Sequence, residues 1–153
     1  LGLIPVFICM IFAGVGLKQW INRRKLFKVD YDILILGIYY VAVILSYLVF
    51  EMIPINYRPI LIDGRMEVSY PSSTTLLVLC VMPTLIEQTM RRLKHIKLKL
   101  IIRVVTVWFS VFMVLGRLVS GVHWFTDIVG AMILSAGLFL IYKGVVIFKS
   151  NMV

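Results

Sequence analysis

Five long apolar runs, separated by short polar or charged stretches, dominate the sequence. They cover residues 3–20, 32–53, 72–90, 98–115 and 124–148, and each is close to the roughly 20 residues that a helix needs to cross a bilayer. The third run is the weakest, because Pro83 lies within it and Glu87 and Gln88 interrupt its end. We therefore predict an all-α, polytopic membrane helix bundle that forms a single domain over residues 1–153.

Composition supports a membrane protein. Hydrophobic residues make up 61% of the 153 residues, above the roughly 45–50% that is usual in soluble domains, and the mean hydropathy is +1.02. Cys9 and Cys80 lie inside apolar runs, away from other metal-binding side chains. We therefore predict neither a metal site nor a disulfide framework.

Most of the basic residues behind the net charge of +9 lie in two clusters. The first contains Lys18, Arg23, Arg24, Lys25 and Lys28, and the second contains Arg91, Arg92, Lys94, Lys97, Lys99 and Arg103. Both clusters flank apolar runs, so the positive-inside rule predicts that they are cytoplasmic, and a nucleic-acid partner is not expected. The C-terminus is then cytoplasmic and the N-terminus outside, which leaves open whether a sixth helix precedes this chain in the full-length protein.

Three ionisable residues lie at the start of the last apolar run, where charge is costly without a partner or a role. Arg117 precedes His123 in the sequence, and Asp127 follows it by four residues. Residues with that spacing share a helix face, so we expect the Asp127 carboxylate to accept the imidazole N–H and fix the tautomer. The imidazole would then serve as a base or a nucleophile, and Arg117 would bind phosphate. A capping histidine and an interfacial arginine are the alternatives.

The connection between the second and third runs carries a second group of candidates. It contains Arg58-Pro59 and, just before the third run, Pro71-Ser72-Ser73-Thr74. Hydroxyl residues before an apolar run predict a helix N-terminus, where free N–H groups and the helix dipole favour an anion. Capping alone would explain the same hydroxyls. Topology predicts that this connection, like the one that holds His123, faces outward.

These segments resemble, in order, the three motifs of the type 2 phosphatidic acid phosphatase (PAP2) superfamily of membrane lipid phosphatases. The motifs are written K-x6-R-P, P-S-G-H and S-R-x5-H-x3-D, and the resemblance covers about residues 51–130. The third motif is the most specific, with Gly116 in the place of its serine. The resemblance implies a metal-independent site at the outer membrane face, without a cofactor.

The resemblance also implies roles for individual residues. His123 would be the nucleophile that takes the phosphoryl group, and Asp127 would orient it. The phosphate oxygens would be bound by Arg58, Arg117 and Ser72, together with backbone N–H groups near Ser73.

Two departures from the family pattern matter for the chemistry. Glu51 stands where a lysine is expected, and Thr74 replaces the histidine that protonates the leaving group. Losing an acid costs roughly 10²–10⁴ in rate for a poor leaving group, whereas a departing phosphate, with a second pKa of about 6, leaves unprotonated. We therefore predict a preference for isoprenoid or other lipid diphosphates over monophosphates. Glu51 as a replacement acid is a further alternative.

The leading hypothesis is a membrane lipid phosphatase that hydrolyses an isoprenoid diphosphate or phosphate, such as undecaprenyl pyrophosphate, through a phosphohistidine at His123. We expect it in a plasma membrane, most simply a bacterial one, with the lipid as its partner. The second hypothesis is a catalytically impaired protein that binds lipid phosphate, because Glu51 and Thr74 replace two catalytic residue types. A transporter or scramblase ranks last, since no line of charges crosses the spans.

Overall fold

The computed structural model describes residues 2–25 and 29–152, so Lys28 of the first basic cluster lies outside the described residues. Five helices follow one another: α1 (Leu3–Arg23), α2 (Tyr31–Met52), α3 (Ser73–Arg92), α4 (Ile96–Val119) and α5 (Phe125–Ser150). Each is long and apolar enough to cross a membrane. The predicted all-helical bundle with five spans is confirmed, and the chain is a multi-pass membrane protein.

The helices extend beyond the predicted runs at the C-terminal end of α4, which continues from residue 115 to Val119, and at the ends that carry the basic clusters. α1 continues to Arg23, α3 continues to Arg92, and α4 begins at Ile96, inside the second basic cluster. Long basic side chains extend their charge into water from the last turn of a membrane helix. The helical backbone therefore continues beyond the point at which the apolar run ends.

α3 lies at the centre of the bundle although its sequence is the least hydrophobic of the five spans. Half of an 18-residue apolar stretch of α3 is buried inside the protein, against 11–22% of the corresponding stretch in the other helices, and α3 packs against all four. Its polar side chains find partners there: Thr84 Oγ1 lies 2.8 Å from the Tyr40 hydroxyl, and Gln88 Nε2 donates to the Tyr142 hydroxyl at 3.3 Å. The third run is less hydrophobic than the others because protein, and not lipid, surrounds much of this helix.

Two hydroxyl groups donate to carbonyls of α3 close to Pro83, which lies in the middle of the helix. A proline has no N–H to donate to the preceding turn of the helix. The Tyr39 hydroxyl donates to the Cys80 carbonyl at 3.1 Å, and the Thr84 hydroxyl donates to the Val81 carbonyl at 2.7 Å. The carbonyl that would have accepted the missing N–H is that of Leu79, four residues before Pro83, so these two bonds add to the adjacent turn and do not replace the lost one.

A network of charged residues joins α1, α2 and α3 at one end of the bundle. The Arg92 guanidinium lies 2.8 Å from Asp32 and 3.3 Å from Asp30, and its Nε donates to Gln88 at 2.9 Å. Arg23 pairs with Asp30 at 2.8 Å, and this hydrogen bond is the largest cause that holds the pKa of Asp30 below its usual value. Because successive helices run in opposite directions, the network lies at the end opposite the α2–α3 and α4–α5 connections.

Candidate active site

The α2–α3 connection contains a loop whose two sides are joined by isolated β-bridges, and this loop brings Arg58 beside Glu67. We call its segments, residues 56–58 and 67–69, the paired loop. An antiparallel bridge joins the segments, and the Arg58 N–H donates to the Glu67 carbonyl at 3.0 Å. The connecting turn includes Gly64, whose φ of 74° lies in the left-handed region that glycine adopts without strain.

The paired loop is docked onto the start of α5 by two side-chain hydrogen bonds. Trp124 Nε1 donates to the Tyr57 carbonyl at 2.8 Å, and Asn56 Nδ2 donates to Asp127 Oδ1 at 3.4 Å. Residues far apart in the sequence are thereby held together at one end of the bundle. The predicted site residues of the two connections therefore meet.

His123 is held between a backbone carbonyl and an arginine. Its Nδ1 lies 3.1 Å from the Ser69 carbonyl oxygen, and its Nε2 lies 3.5 Å from Arg58 Nη1. Because a carbonyl oxygen only accepts, the pairing implies that the hydrogen of the neutral ring is on Nδ1. The Nε2 lone pair is then directed toward Arg58, where an anion would bind.

The predicted hydrogen bond between His123 and Asp127 is not formed. Nδ1 lies 3.7 Å from Asp127 Oδ2, and this oxygen accepts the Trp124 N–H at 2.9 Å at the start of α5. Asp127 thus acts on the imidazole through its nearby charge, while the Ser69 carbonyl fixes the ring. Sequence reasoning missed Ser69 because every residue type has a backbone carbonyl.

The surroundings of His123 favour its neutral form. The side chain is buried, and burial is the largest cause that lowers its pKa from 6.5. The positive charges of Arg58 and Arg117 lower the pKa further, while Asp127 and the Ser69 carbonyl oppose the shift. A neutral imidazole keeps the lone pair that a nucleophile or a base requires.

A polar cavity of about 470 Å³ opens beside His123. Its wall includes Arg58 and Ser73, which were predicted to bind phosphate, and also Glu51 and Glu67. The prediction that His123, Arg58 and Ser73 lie together therefore agrees with the geometry. Within residues 2–25 and 29–152, no three His, Cys, Asp or Glu side chains gather in the way that metal ligands do.

Arg117 and Thr74 lie on a neighbouring cavity of about 400 Å³. Arg117 Nη2 donates a hydrogen bond to Thr74 Oγ1. Ser73 and Thr74, at the start of α3, thus face different cavities. The threonine that departs from the family pattern holds an arginine whose charge is close enough to affect His123.

The Ser72 hydroxyl, predicted to bind phosphate, is used inside the protein. Ser72 is fully buried, and its Oγ lies 3.0 Å from Thr75 Oγ1. Its N–H donates to the Asp127 carbonyl at 3.2 Å. Ser72 therefore joins the start of α3 to the start of α5, and Ser73 is the serine that lines the cavity.

Glu67 is a site residue that the sequence reasoning missed. It follows Arg58 by nine residues, with Asp63-Gly64 between them. An Asp-Gly pair is a strong signal for a tight turn between two paired segments. That signal predicts a hairpin that would place Arg58 opposite Ser69. The register shifts by two residues between the Ile62–Arg65 and Tyr57–Val68 bridges, and this shift brings Glu67 opposite Arg58.

Comparison with known proteins gives a family and a fold. A family model described as the PAP2 superfamily matches residues 36–149, which include every predicted site residue. A solved structure, described as the first transmembrane PAP2 type phosphatidylglycerolphosphate phosphatase from Bacillus subtilis, has a TM-score of 0.71 and 22% sequence identity to this chain. The similarity covers 97% of this chain and 71% of that chain, and at this identity it shows a shared fold. No curated protein matches this chain.

Proposed function

Because the chain belongs to the PAP2 superfamily, we propose that it is a membrane lipid phosphatase with His123 as its nucleophile. The observation that carries the proposal is the position of Nε2, which lies 3.5 Å from Arg58 Nη1 at a polar cavity. A phosphate group bound there would bring its oxygens to the guanidinium and its phosphorus to the lone pair. Lowering of the His123 pKa supports the same role.

The reaction takes place in two steps. The Nε2 lone pair attacks phosphorus while the bond to the leaving oxygen breaks, which gives a phosphohistidine. Arg58 stabilises the charge on the phosphoryl oxygens, and the Ser69 carbonyl and the Asp127 carboxylate stabilise the positive charge that develops on the ring. Water then attacks the phosphohistidine, releases inorganic phosphate and returns the neutral imidazole.

The leaving group determines the preferred substrate class. Thr74 has no proton donor of suitable pKa, and its hydroxyl accepts from Arg117. A departing lipid phosphate needs no protonation, whereas a departing alkoxide does. We therefore propose lipid diphosphates, and isoprenoid diphosphates in particular, as the preferred substrates. Glu51 lines the cavity and is the carboxyl that could serve as an acid for monophosphates.

The position of the site at the helix ends suits a lipid headgroup. The cavity lies at the junction of the paired loop with α2, α3 and the α4–α5 connection. The basic clusters lie at the other end of these helices, so the positive-inside rule favours a site on the outer face and a cytoplasmic C-terminus. We propose that the lipid tail stays in the bilayer while the phosphate enters the cavity.

Phosphate release from purified protein in detergent tests the proposal. The substrates are a polyprenyl diphosphate, the matching monophosphate and phosphatidic acid, and the variants are His123→Ala and His95→Ala. We expect release chiefly from the diphosphate, and its loss in His123→Ala. His95 is the matched control, since it is exposed in the α3–α4 connection at the opposite end of the bundle, and its variant should behave as wild type.

Each outcome of this experiment is decisive. Absence of release, with the lipid phosphate still bound, would identify a binding protein. Faster release from phosphatidic acid than from the diphosphate would refute the leaving-group argument. In Glu51→Gln, a loss confined to the monophosphates would identify Glu51 as their acid.

A further inference from the structure

Arg58 is flanked by two partners on different sides of its guanidinium group. Glu67 Oε2 lies 3.0 Å from Nε, and His123 Nε2 lies 3.5 Å from Nη1. The Nε–Oε2 contact is an ion pair without a hydrogen bond, because Arg58 Nε is buried and makes no directed bond. The carboxylate therefore lies against one edge of the planar group, and the edge formed by the two Nη atoms is left for another anion.

The ion pair is built into the backbone of the paired loop. Arg58 and Glu67 lie opposite each other in the two segments, with the Arg58 N–H donating to the Glu67 carbonyl at 3.0 Å. Side chains directly opposite in an antiparallel pair lie on the same face. The backbone thus holds the carboxylate beside the guanidinium, and little side-chain freedom is lost when the two groups pair.

The same backbone also sets the orientation of the nucleophile. Ser69, two residues after Glu67, provides the carbonyl that lies 3.1 Å from His123 Nδ1. The segment 67–69 therefore contacts both the cation and the imidazole. A rotation of the Arg58 side chain is the remaining freedom that would separate Nη1 from the imidazole, and the Glu67 carboxylate opposes that rotation.

We propose that Glu67 is a positioning residue for phosphoryl transfer, which orients Arg58 so that its Nη groups receive the phosphate beside His123. The inference rests on the proposed function, since it assumes that Arg58 binds a phosphate group. Two other roles lead to different expectations. A carboxylate that competed with phosphate would weaken binding, so its removal would increase activity, and an acid would act without Arg58.

Four variants test the positioning role in the full chain: Glu67→Ala, Glu67→Gln, Arg58→Ala and the Arg58→Ala/Glu67→Ala double variant. Glu67→Ala should lower kcat about 10- to 100-fold with a smaller change in KM, because misplacement of about 1 Å in a catalytic group has that effect. Glu67→Gln keeps the size of the side chain but removes its charge, so it should lower kcat nearly as much as Glu67→Ala, because the contact with Arg58 Nε is an ion pair without a hydrogen bond. In the Arg58→Ala background, Glu67→Ala should cause no further loss, because Glu67 acts through Arg58.

Glu87→Ala is the matched control. Glu87 pairs with Arg91 Nε at the same distance, 3.0 Å, near the end of α3 that lies away from the site. Removing this carboxylate should leave kcat unchanged. Thermal unfolding of each variant in detergent shows whether the protein remains folded, and the half-exposed Glu67 side chain should be replaced without unfolding.

Binding of inorganic vanadate, a phosphate mimic, separates this inference from the proposed function. If wild type hydrolyses no lipid but binds vanadate, weaker binding by Glu67→Ala would still support the positioning role. Equal or tighter vanadate binding, or equal or higher activity, in Glu67→Ala would overturn it. An additional loss from Glu67→Ala in the Arg58→Ala background would also overturn it, as would the absence of vanadate binding by wild type.

Discussion

Replacement of Gly130 by alanine is expected to lower activity while leaving the bundle folded. Gly130 lies in α5 against the ring of Tyr70, which begins the cis peptide bond to Pro71. A Cβ at position 130 would lie 2.3 Å from Tyr70 Cε2, 2.5 Å from its hydroxyl oxygen and 2.6 Å from Cζ. The Phe50 ring packs edge-on against the same tyrosine, with 5.5 Å between ring centroids.

The size of the effect follows from how far the ring must move. Ordinary contact with a Cβ begins at 3.4 Å, and the added Cβ would lie 2.3 Å from Tyr70 Cε2, so the ring must move away by about 1.1 Å. Tyr70 lines the cavity of His123 and follows Ser69, whose carbonyl fixes the imidazole. A shift of about 1 Å costs up to about 10² in rate, and overpacking costs about 1–3 kcal/mol of stability.

The assay compares kcat/KM for a polyprenyl diphosphate, together with thermal unfolding in detergent, in Gly130→Ala and Gly137→Ala. Gly137 lies in the same helix, and an added Cβ there would meet nothing within 4 Å. Its alanine variant should keep wild-type activity and gain stability of up to about 1 kcal/mol from helix propensity. If Gly130→Ala is as active as Gly137→Ala, the argument that Tyr70 positions the site is refuted.

Two further predictions concern pH and the opposite end of the bundle. The pKa of His123 is lowered from 6.5, so the imidazole should be mostly neutral at pH 6.5. The value of kcat/KM should therefore fall only as the pH drops through the lower pKa of the folded state. A midpoint at or above 6.5, in a profile from about pH 5 to about pH 8, would contradict this expectation. Arg92→Ala should lower stability by about 1–3 kcal/mol, because Asp32 and Gln88 lose a charged partner. Arg91→Ala is the control, because it breaks a single pair with Glu87 and should lower stability by less than about 1 kcal/mol. Equal shifts in thermal unfolding for Arg92→Ala and Arg91→Ala would refute the role of the network.

The spans and their number could be predicted because hydropathy and helix length depend on local sequence. The prediction was least certain for α3, where Thr84 and Gln88 are polar yet buried against other helices. Hydropathy measures transfer into lipid, and a helix that is surrounded by protein does not need a fully apolar surface. Its central place in the bundle therefore could not be inferred from its own residues.

The sequence predicted which side chains lie near the candidate site, but not which atoms they bond to. The spacing of His123 and Asp127 correctly indicated proximity, but the Ser69 carbonyl takes the hydrogen bond. Arg117 was predicted to bind phosphate, and its hydrogen bond goes to Thr74 on a neighbouring cavity. Such pairings depend on how the two connections dock, and a single sequence holds no signal for a contact made by a backbone carbonyl.

The paired loop also bears on the order in which the site forms during synthesis. Arg58 and His123 are 65 residues apart, so at about 5–20 residues per second Arg58 is made between about 3 and 13 s before the nucleophile. Glu67 lies only nine residues after Arg58, so it is made within about 2 s of Arg58 and before His123. The site is therefore complete only after α5 has been made and His123 lies beside the guanidinium.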